Sequence, residues 1–89
     1  MAPDPAAWAD IVGSYRRSDG VPAKVFIKNG KLWWQTVYQP FEMTQEAPDR
    51  FFMKADDRTL VFVRDPSGKV IRVDITFPLD KNVYPLPRM

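Results

Sequence analysis

The side chains that usually carry out enzyme chemistry are scarce in this sequence of 89 residues. It contains no histidine and no cysteine, which removes the commonest general base, the thiol nucleophile and the usual zinc ligands together. Its serines lie in no Ser-x-x-Lys or Gly-x-Ser-x-Gly arrangement that would activate a hydroxyl. We therefore predict that the chain is not an enzyme and uses no cofactor and no metal.

Adjacent Asp56 and Asp57 are the remaining candidates for a carboxylate dyad or a calcium site. Neighbouring side chains of an extended chain point to opposite faces, and no ligand spacing of the EF-hand type surrounds this pair. We interpret it as a solvated turn. The four glycines are dispersed along the chain, so no glycine-rich phosphate loop is present.

The composition is that of one small globular domain, with 45% hydrophobic residues and a net charge of +2. Positive charge concentrates between residues 11 and 40, which allows a local basic patch. No apolar run approaches the roughly 20 residues of a membrane span, and the first ten residues lack the pattern of a signal peptide. We expect a soluble chain without an export signal, and its compartment stays open.

The stretch that organises the chain runs from Ala23 to Gln39 and contains Asn29-Gly30 between two apolar runs. Asn-Gly favours a two-residue type I′ hairpin, because both central residues tolerate a positive φ. Alternation then fixes the faces. The predicted core face carries Val25, Ile27, Leu32 and Trp34, and continues to Thr36 and Tyr38. The outer face carries the cross-strand pair Phe26 and Trp33, surrounded by Lys24, Lys28 and Lys31.

The rest of the chain predicts short strands separated by turns, with no alternation of strands and helices. We expect a short helix over 4–11, with Trp8, Ile11 and Val12 plugging one end of the fold, and a β-meander over 13–77 with Tyr15 inward. Pro78 should end the sheet, leaving 78–89 as an extended, proline-containing tail in which Tyr84 and Leu86 pack along the wall. The predicted fold class is all-β, mainly antiparallel: a single domain over 1–89, forming a small barrel or half-barrel of about seven to eight strands.

The register of the last hairpin has two solutions. A loop of three residues would place Val61, Val63, Ile71 and Val73 on one face. A loop of four residues pairs Phe62 with Ile71 and Leu60 with Val73. We prefer the second, because burying Phe and Leu removes more apolar area from water than burying two valines.

Two surfaces of such a barrel are candidates for binding. The first is the outer face, where lysines around Phe26 and Trp33 fit structural cover, a protein interface or, least of all, single-stranded nucleic acid. The second is the barrel interior, which bulky side chains fill in a small barrel but which can hold one small ligand. Its candidate lining consists of Trp34, Tyr38 and Met43.

Several segments together resemble a known family, the small lipocalin-like domain of unknown function found C-terminal to serine beta-lactamase-like hydrolases. The resemblance covers most of the chain. Its markers are Ile11–Arg16, Asp19-Gly20, Asn29–Leu32, Asp49–Phe52, Leu60–Phe62 and Asp65–Val70. It implies an accessory β-barrel module that packs against a partner domain or shapes access to its active site, and it transfers no catalytic residue. The hydrolase itself is missing from these 89 residues, so whether the partner is in cis or in trans stays open.

Three functional hypotheses follow from the sequence. The first is a non-catalytic interaction module that binds a protein partner or a second copy of itself through the outer face. The second is a carrier of a small apolar ligand, and the third is a small nucleic-acid-binding barrel.

Overall fold

A computed structural model describes residues 8–89, which form eight antiparallel strands in one sheet. The strands are β1 (Gly13–Arg16), β2 (Pro22–Lys28), β3 (Lys31–Gln35), β4 (Phe41–Ala47), β5 (Arg50–Met53), β6 (Arg58–Arg64), β7 (Val70–Phe77) and β8 (Asp80–Pro87). Each strand pairs with the next along the chain, so the sheet is an uninterrupted meander. The prediction of an all-β, antiparallel meander is confirmed.

The sheet curls until its first and last strands meet. Tyr15 and Arg88 form a bridge between the two edges, and the backbone N–H of Met89 donates to the carbonyl of Ser14 at 2.9 Å. The result is a nearly closed barrel measuring 30 × 30 × 23 Å. Closure removes most of the free edge that an open sheet would offer for unwanted pairing.

The central hairpin has the predicted register. Val25 pairs with Trp34 and Phe26 with Trp33. Asn29 and Gly30 both have positive φ values, 55° and 73°, as a type I′ turn requires. Local turn chemistry and the alternation of apolar residues therefore agree here.

The core consists of the inward positions of the strands together with two residues of the N-terminal turn. Its buried members are Trp8, Ile11, Tyr15, Ala23, Val25, Leu32, Trp34, Met43, Phe51, Met53, Leu60, Phe62, Val70, Val73, Ile75 and Leu86. Two residues of the predicted core face depart from this pattern. Ile27 is 37% exposed because β2 ends one residue later, and Tyr38 is 71% exposed because β3 ends at Gln35.

The register of the β6–β7 hairpin differs from both predicted solutions. Leu60 and Phe62 do face the core, but they pair with Ile75 and Val73, and Ile71 is 40% exposed. An irregularity between Val63 and Arg64 shifts the register near the turn. A bulge of this kind adds an unpaired residue, which counting from the loop alone does not anticipate.

The prediction that the sheet ends at Pro78 is wrong. The segment is extended, but residues 80–87 form β8, which pairs with β7 along its length. Pro85 and Pro87 are tolerated because β8 lies beside the seam of the barrel, where one side of the strand needs few hydrogen bonds. Leu86 is buried in the core, whereas Tyr84 is 41% exposed.

The closed end of the barrel is covered by residues 8–12. Half of the predicted helix over 4–11, residues 4–7, lies outside the described residues, and Trp8 to Ile11 form one turn in which the N–H of Ile11 donates to the carbonyl of Trp8 at 3.0 Å. Trp8 and Ile11 are buried, and Val12 packs against them. The predicted plug is therefore confirmed for these residues.

Arg64 ties this plug to the barrel. Its guanidinium donates two hydrogen bonds to the Asp49 carboxylate, at 2.9 and 3.0 Å, and one to the carbonyl of Gly68 at 2.8 Å. It also forms an ion pair with Asp10. The hydrogen bond that Arg64 donates to the Asp10 carboxylate holds the pKa of Asp10 below its usual value of 3.8. Arg64 thus links the N-terminal turn, the β4–β5 connection and the β6–β7 turn through partly exposed hydrogen bonds.

Candidate functional site

The opposite end of the barrel is open. Four connections lie there: residues 17–21, 36–40, 54–57 and 78–79. In an up-and-down barrel of eight strands such connections are spaced evenly around the mouth, with the β1–β2 loop opposite the β5–β6 loop. Three strongly exposed apolar side chains, Val37, Tyr38 and Leu79, belong to these loops.

A cavity of about 510 Å³ extends from this mouth into the barrel. Its volume lies within the range of roughly 300–1,000 Å³ that is typical of small-molecule sites. The lining residues are Arg17, Ser18, Trp34, Thr36, Tyr38, Phe41, Met53, Ala55, Asp56, Arg58, Ile75, Phe77, Tyr84 and Leu86. The walls are therefore mainly aromatic and aliphatic. Of the charged lining residues, Arg17 and Asp56 lie in loops and Arg58 is the first residue of β6.

The inner part of the cavity is lined by residues that also belong to the core. Trp34, Met53, Ile75 and Leu86 are all buried, and they come from four different strands. Side chains that alternate along a strand place every second residue inside a barrel. These four residues expose only 1–7% of their surface, so most of the apolar area that a ligand could remove from water belongs to less buried lining residues such as Phe41 and Phe77.

One side of the mouth carries an ordered ion pair. The Arg58 guanidinium donates from Nη2 to Asp56 Oδ2 at 2.6 Å and from Nε at 3.1 Å, and the backbone N–H of Arg58 donates to Asp56 Oδ1 at 3.3 Å. Partial burial by itself raises the pKa of Asp56, but the hydrogen bonds and charge of Arg58 outweigh it, and the pKa lies below 3.8. Asp56 is thus ionised at neutral pH and occupies the guanidinium fork.

Aromatic rings fix the position of this ion pair. The guanidinium carbon of Arg58 lies 5.0 Å from the centre of the Phe77 ring, and Tyr84 meets Phe77 edge to face at 5.8 Å. The Tyr84 hydroxyl donates to Asp80, and this hydrogen bond raises the pKa of Tyr84. On the side of the mouth between β5 and β8, Asp56, Arg58, Phe77, Tyr84 and Asp80 consequently contact one another in succession.

The other arginine of the lining lies across the mouth. Arg17 belongs to the β1–β2 loop and pairs with Asp19 at 2.9 Å. Asp19 is not among the lining residues. Both arginines therefore belong to the lining, Arg17 from the β1–β2 loop and Arg58 from the start of β6.

The structure brings together two of the three predicted pocket residues. Trp34 lies in the wall and Tyr38 at the mouth, whereas Met43 lies in the other half of the barrel, beside Trp8, where it borders a separate space of about 70 Å³. Met43 pairs with Leu32, and Phe41, which pairs with Trp34, occupies the position nearer the mouth. The prediction that Met43 lines the ligand pocket is thus wrong. Phe41, the preceding residue on the same face of β4, lines it instead.

Sequence reasoning missed most of the remaining lining. Phe77 and Tyr84 lie on either side of the β7–β8 connection, and the prediction that Pro78 ends the sheet gives no reason for them to be close. Arg17 and Arg58 each stand at the end of a strand, and nothing in the spacing shows that both face the mouth. In an up-and-down barrel every second connection lies at the same end. With the correct number of strands, this rule would have placed these two arginines and two aromatic residues at one mouth.

The predicted outer face also exists in part. Phe26 and Trp33 form their cross-strand pair and are half-buried, with the Trp33 indole N–H donating to the carbonyl of Lys28 at 3.0 Å. Lys24, Lys28 and Lys31 are exposed, and Lys31 lies 3.8 Å from Glu42. Neighbouring residues of the sheet therefore cover part of Phe26 and Trp33, and only a small apolar surface of these two side chains stays exposed.

Two negative findings apply to residues 8–89. No three acidic side chains converge there in a way that could hold a metal ion. No helix among these residues is long and apolar enough to cross a membrane.

The comparisons with known proteins leave the family open. No family model, no curated protein and no solved structure matches this chain. The resemblance to the lipocalin-like domain therefore stays a prediction that concerns fold and setting, and the chemistry of the cavity has to be argued from its own residues.

Proposed function

We propose that this chain is a binding protein for a small apolar ligand, which it holds in the cavity at the open end of the barrel. The observation that carries the proposal is the contrast between the two ends. The closed half, packed by Phe51 and Met43, leaves only smaller spaces of about 70 and 190 Å³ beside Trp8, while the open half contains about 510 Å³ bounded by Trp34, Phe41 and other apolar groups. An eight-stranded barrel is just wide enough either to be filled by its side chains or to hold one small ligand.

Catalysis is not part of this proposal. The ionisable groups of the lining are two arginines, two tyrosines and Asp56, and Asp56 is bound to Arg58. A general base needs a free acceptor within hydrogen-bond reach of its substrate. Binding and release are the activities that this set of side chains supports.

The test uses neutral primary alkanols of six to twelve carbons, with tryptophan fluorescence as the readout. Each additional buried methylene contributes about 0.8 kcal/mol, so Kd should tighten about fourfold per carbon until the cavity is full. The variant Ala55→Trp places a large ring at the mouth and should weaken binding. Lys54→Trp is the matched control, since Lys54 is an exposed neighbour that does not line the cavity.

The proposal fails if the fluorescence does not respond to any alkanol and amide chemical shifts of the lining residues do not move. It also fails if Ala55→Trp and Lys54→Trp bind equally well, because the ligand then lies elsewhere. A loss confined to Ala55→Trp supports it.

The interaction module stays an alternative proposal. It would act through the outer face around Phe26 and Trp33, and the resemblance to an accessory domain favours it. Light scattering after gel filtration of the wild type and of Phe26→Ser/Trp33→Ser tests self-association. A monomer in both samples would count against a homodimer through this face. Nucleic-acid binding has less support, because Lys31 already lies near Glu42.

A further inference from the structure

We infer that the ligand is an amphipathic anion, whose acidic head binds to Arg58 and Arg17 at the mouth while its apolar body lies along the aromatic wall. This inference rests on the proposed function. It adds the chemical class of the ligand and the residues that select it.

The first argument is the charge of the lining. Two guanidinium groups and one carboxylate line the cavity, while Asp19, which neutralises Arg17, lies outside it. The lining residues alone therefore carry a formal charge of +1, and the carboxylate partners of both arginines, Asp19 and Asp56, belong to exposed loops from which they can turn away. This combination of walls and rim matches a molecule with one acidic end and one apolar end.

The second argument is the geometry of Arg58. Its guanidinium lies over the Phe77 ring, which holds the planar fork in one orientation. Asp56 accepts from Nε and Nη2, the arrangement by which an arginine recognises a carboxylate from a ligand. The Asp56 side chain is 41% exposed and belongs to the β5–β6 loop, so it can turn into solvent when another anion takes its place.

The aromatic groups at the mouth do not favour a cation instead. Tyrosine and phenylalanine rings attract cations through their faces, but the Phe77 ring already has the Arg58 guanidinium over it. A cationic head would also approach two guanidinium groups. Repulsion between like charges therefore acts against it.

The test compares decanoate, decanol and decylamine, which share one chain length and differ in the head group. In the wild type, decanoate should bind about tenfold more tightly than decanol, since hydrogen bonds to charged groups are stronger than neutral ones. Decylamine should bind least tightly. The preference for decanoate should decrease as the salt concentration rises, because charges at the rim are screened.

Three variants assign the effect to residues. Arg58→Gln should weaken decanoate binding about tenfold and leave decanol unchanged. Asp56→Asn should tighten decanoate binding about threefold or more, because it frees the fork while an amide oxygen can still accept from the backbone N–H of Arg58. Arg17→Gln should weaken decanoate binding more than Arg16→Gln, the matched control, in which the exposed neighbouring arginine lies outside the lining.

The outcomes separate the two proposals. If decanol or decylamine binds as tightly as decanoate, the inference is overturned and the apolar binding site stands. If Arg58→Gln and Asp56→Asn both leave decanoate affinity unchanged, the inference is also overturned. If none of the three compounds binds, both proposals fall. Opposite effects of Asp56→Asn and Arg58→Gln, with unchanged thermal unfolding, support the inference.

Discussion

Replacing Trp8 tests whether residues 8–12 are an integral part of the barrel core. Trp8 is 3% exposed, meets Phe51 edge to face at 6.3 Å and donates its indole N–H to Gln45 at 3.2 Å. The substitution of a buried tryptophan by alanine typically costs about 3–5 kcal/mol. A domain of this length has a free energy of unfolding of only about 4–13 kcal/mol. Trp8→Ala should therefore remove a large part of the stability.

Trp33→Ala is the matched control for this experiment. Trp33 is half-buried on the outer face, so its loss should cost about 1–1.5 kcal/mol from partial burial and the cross-strand pair with Phe26. Urea unfolding monitored by circular dichroism measures both variants. Thermal unfolding should show a decrease in Tm of at least about 12 °C for Trp8→Ala.

The comparison refutes the reasoning if Trp8→Ala costs no more than Trp33→Ala. The N-terminal turn would then contribute little to the core, and the closed end of the barrel would not depend on it. A larger loss for Trp8→Ala, with an unchanged denaturant slope, is the expected result.

Three further predictions concern stability. Burial raises the pKa of Tyr15 to about 12, so the folded state favours the neutral phenol. The stability that Tyr15 contributes is therefore lost as the pH rises from about 10 towards 12. In urea unfolding, Tyr15→Phe should cost about 1 kcal/mol at pH 8 and less at pH 11. Arg64→Met should cost about 1–2 kcal/mol at pH 7. The pKa of Asp10 is lowered by Arg64, so its contribution is present above pH 3.8 and lost as the pH falls further; unfolding curves of Arg64→Met and the wild type should approach each other there. Val73→Ala should cost about 2 kcal/mol and Ile71→Ala less than about 1 kcal/mol, and equal losses in thermal unfolding would contradict the register of β6 and β7.

Some features of the cavity could be predicted from sequence because they depend on neighbouring residues. The hairpin at Asn29-Gly30 fixes the pairing of Val25 with Trp34, and Trp34 duly lies in the cavity wall. The prediction for Tyr38 extends the same alternation beyond the hairpin, whereas that for Met43 depends on a new alternation after Pro40 and on its bulk. The distance of an inward residue from either end of the barrel is not encoded in that alternation, so Met43 was placed in the wrong half.

The sequence by itself determined the fold class, the turns and the faces of most strands, because these depend on φ preferences and on the period of two along a strand. Tertiary structure decided the rest. The irregularity between Val63 and Arg64 and the pairing of β8 depend on which strands can close the barrel, a condition that involves all eight at once. Closure also brings Arg17 and Arg58 to one mouth although 41 positions separate them in the chain. The candidate site is therefore a product of the closed sheet, in which residues distant in sequence share one opening.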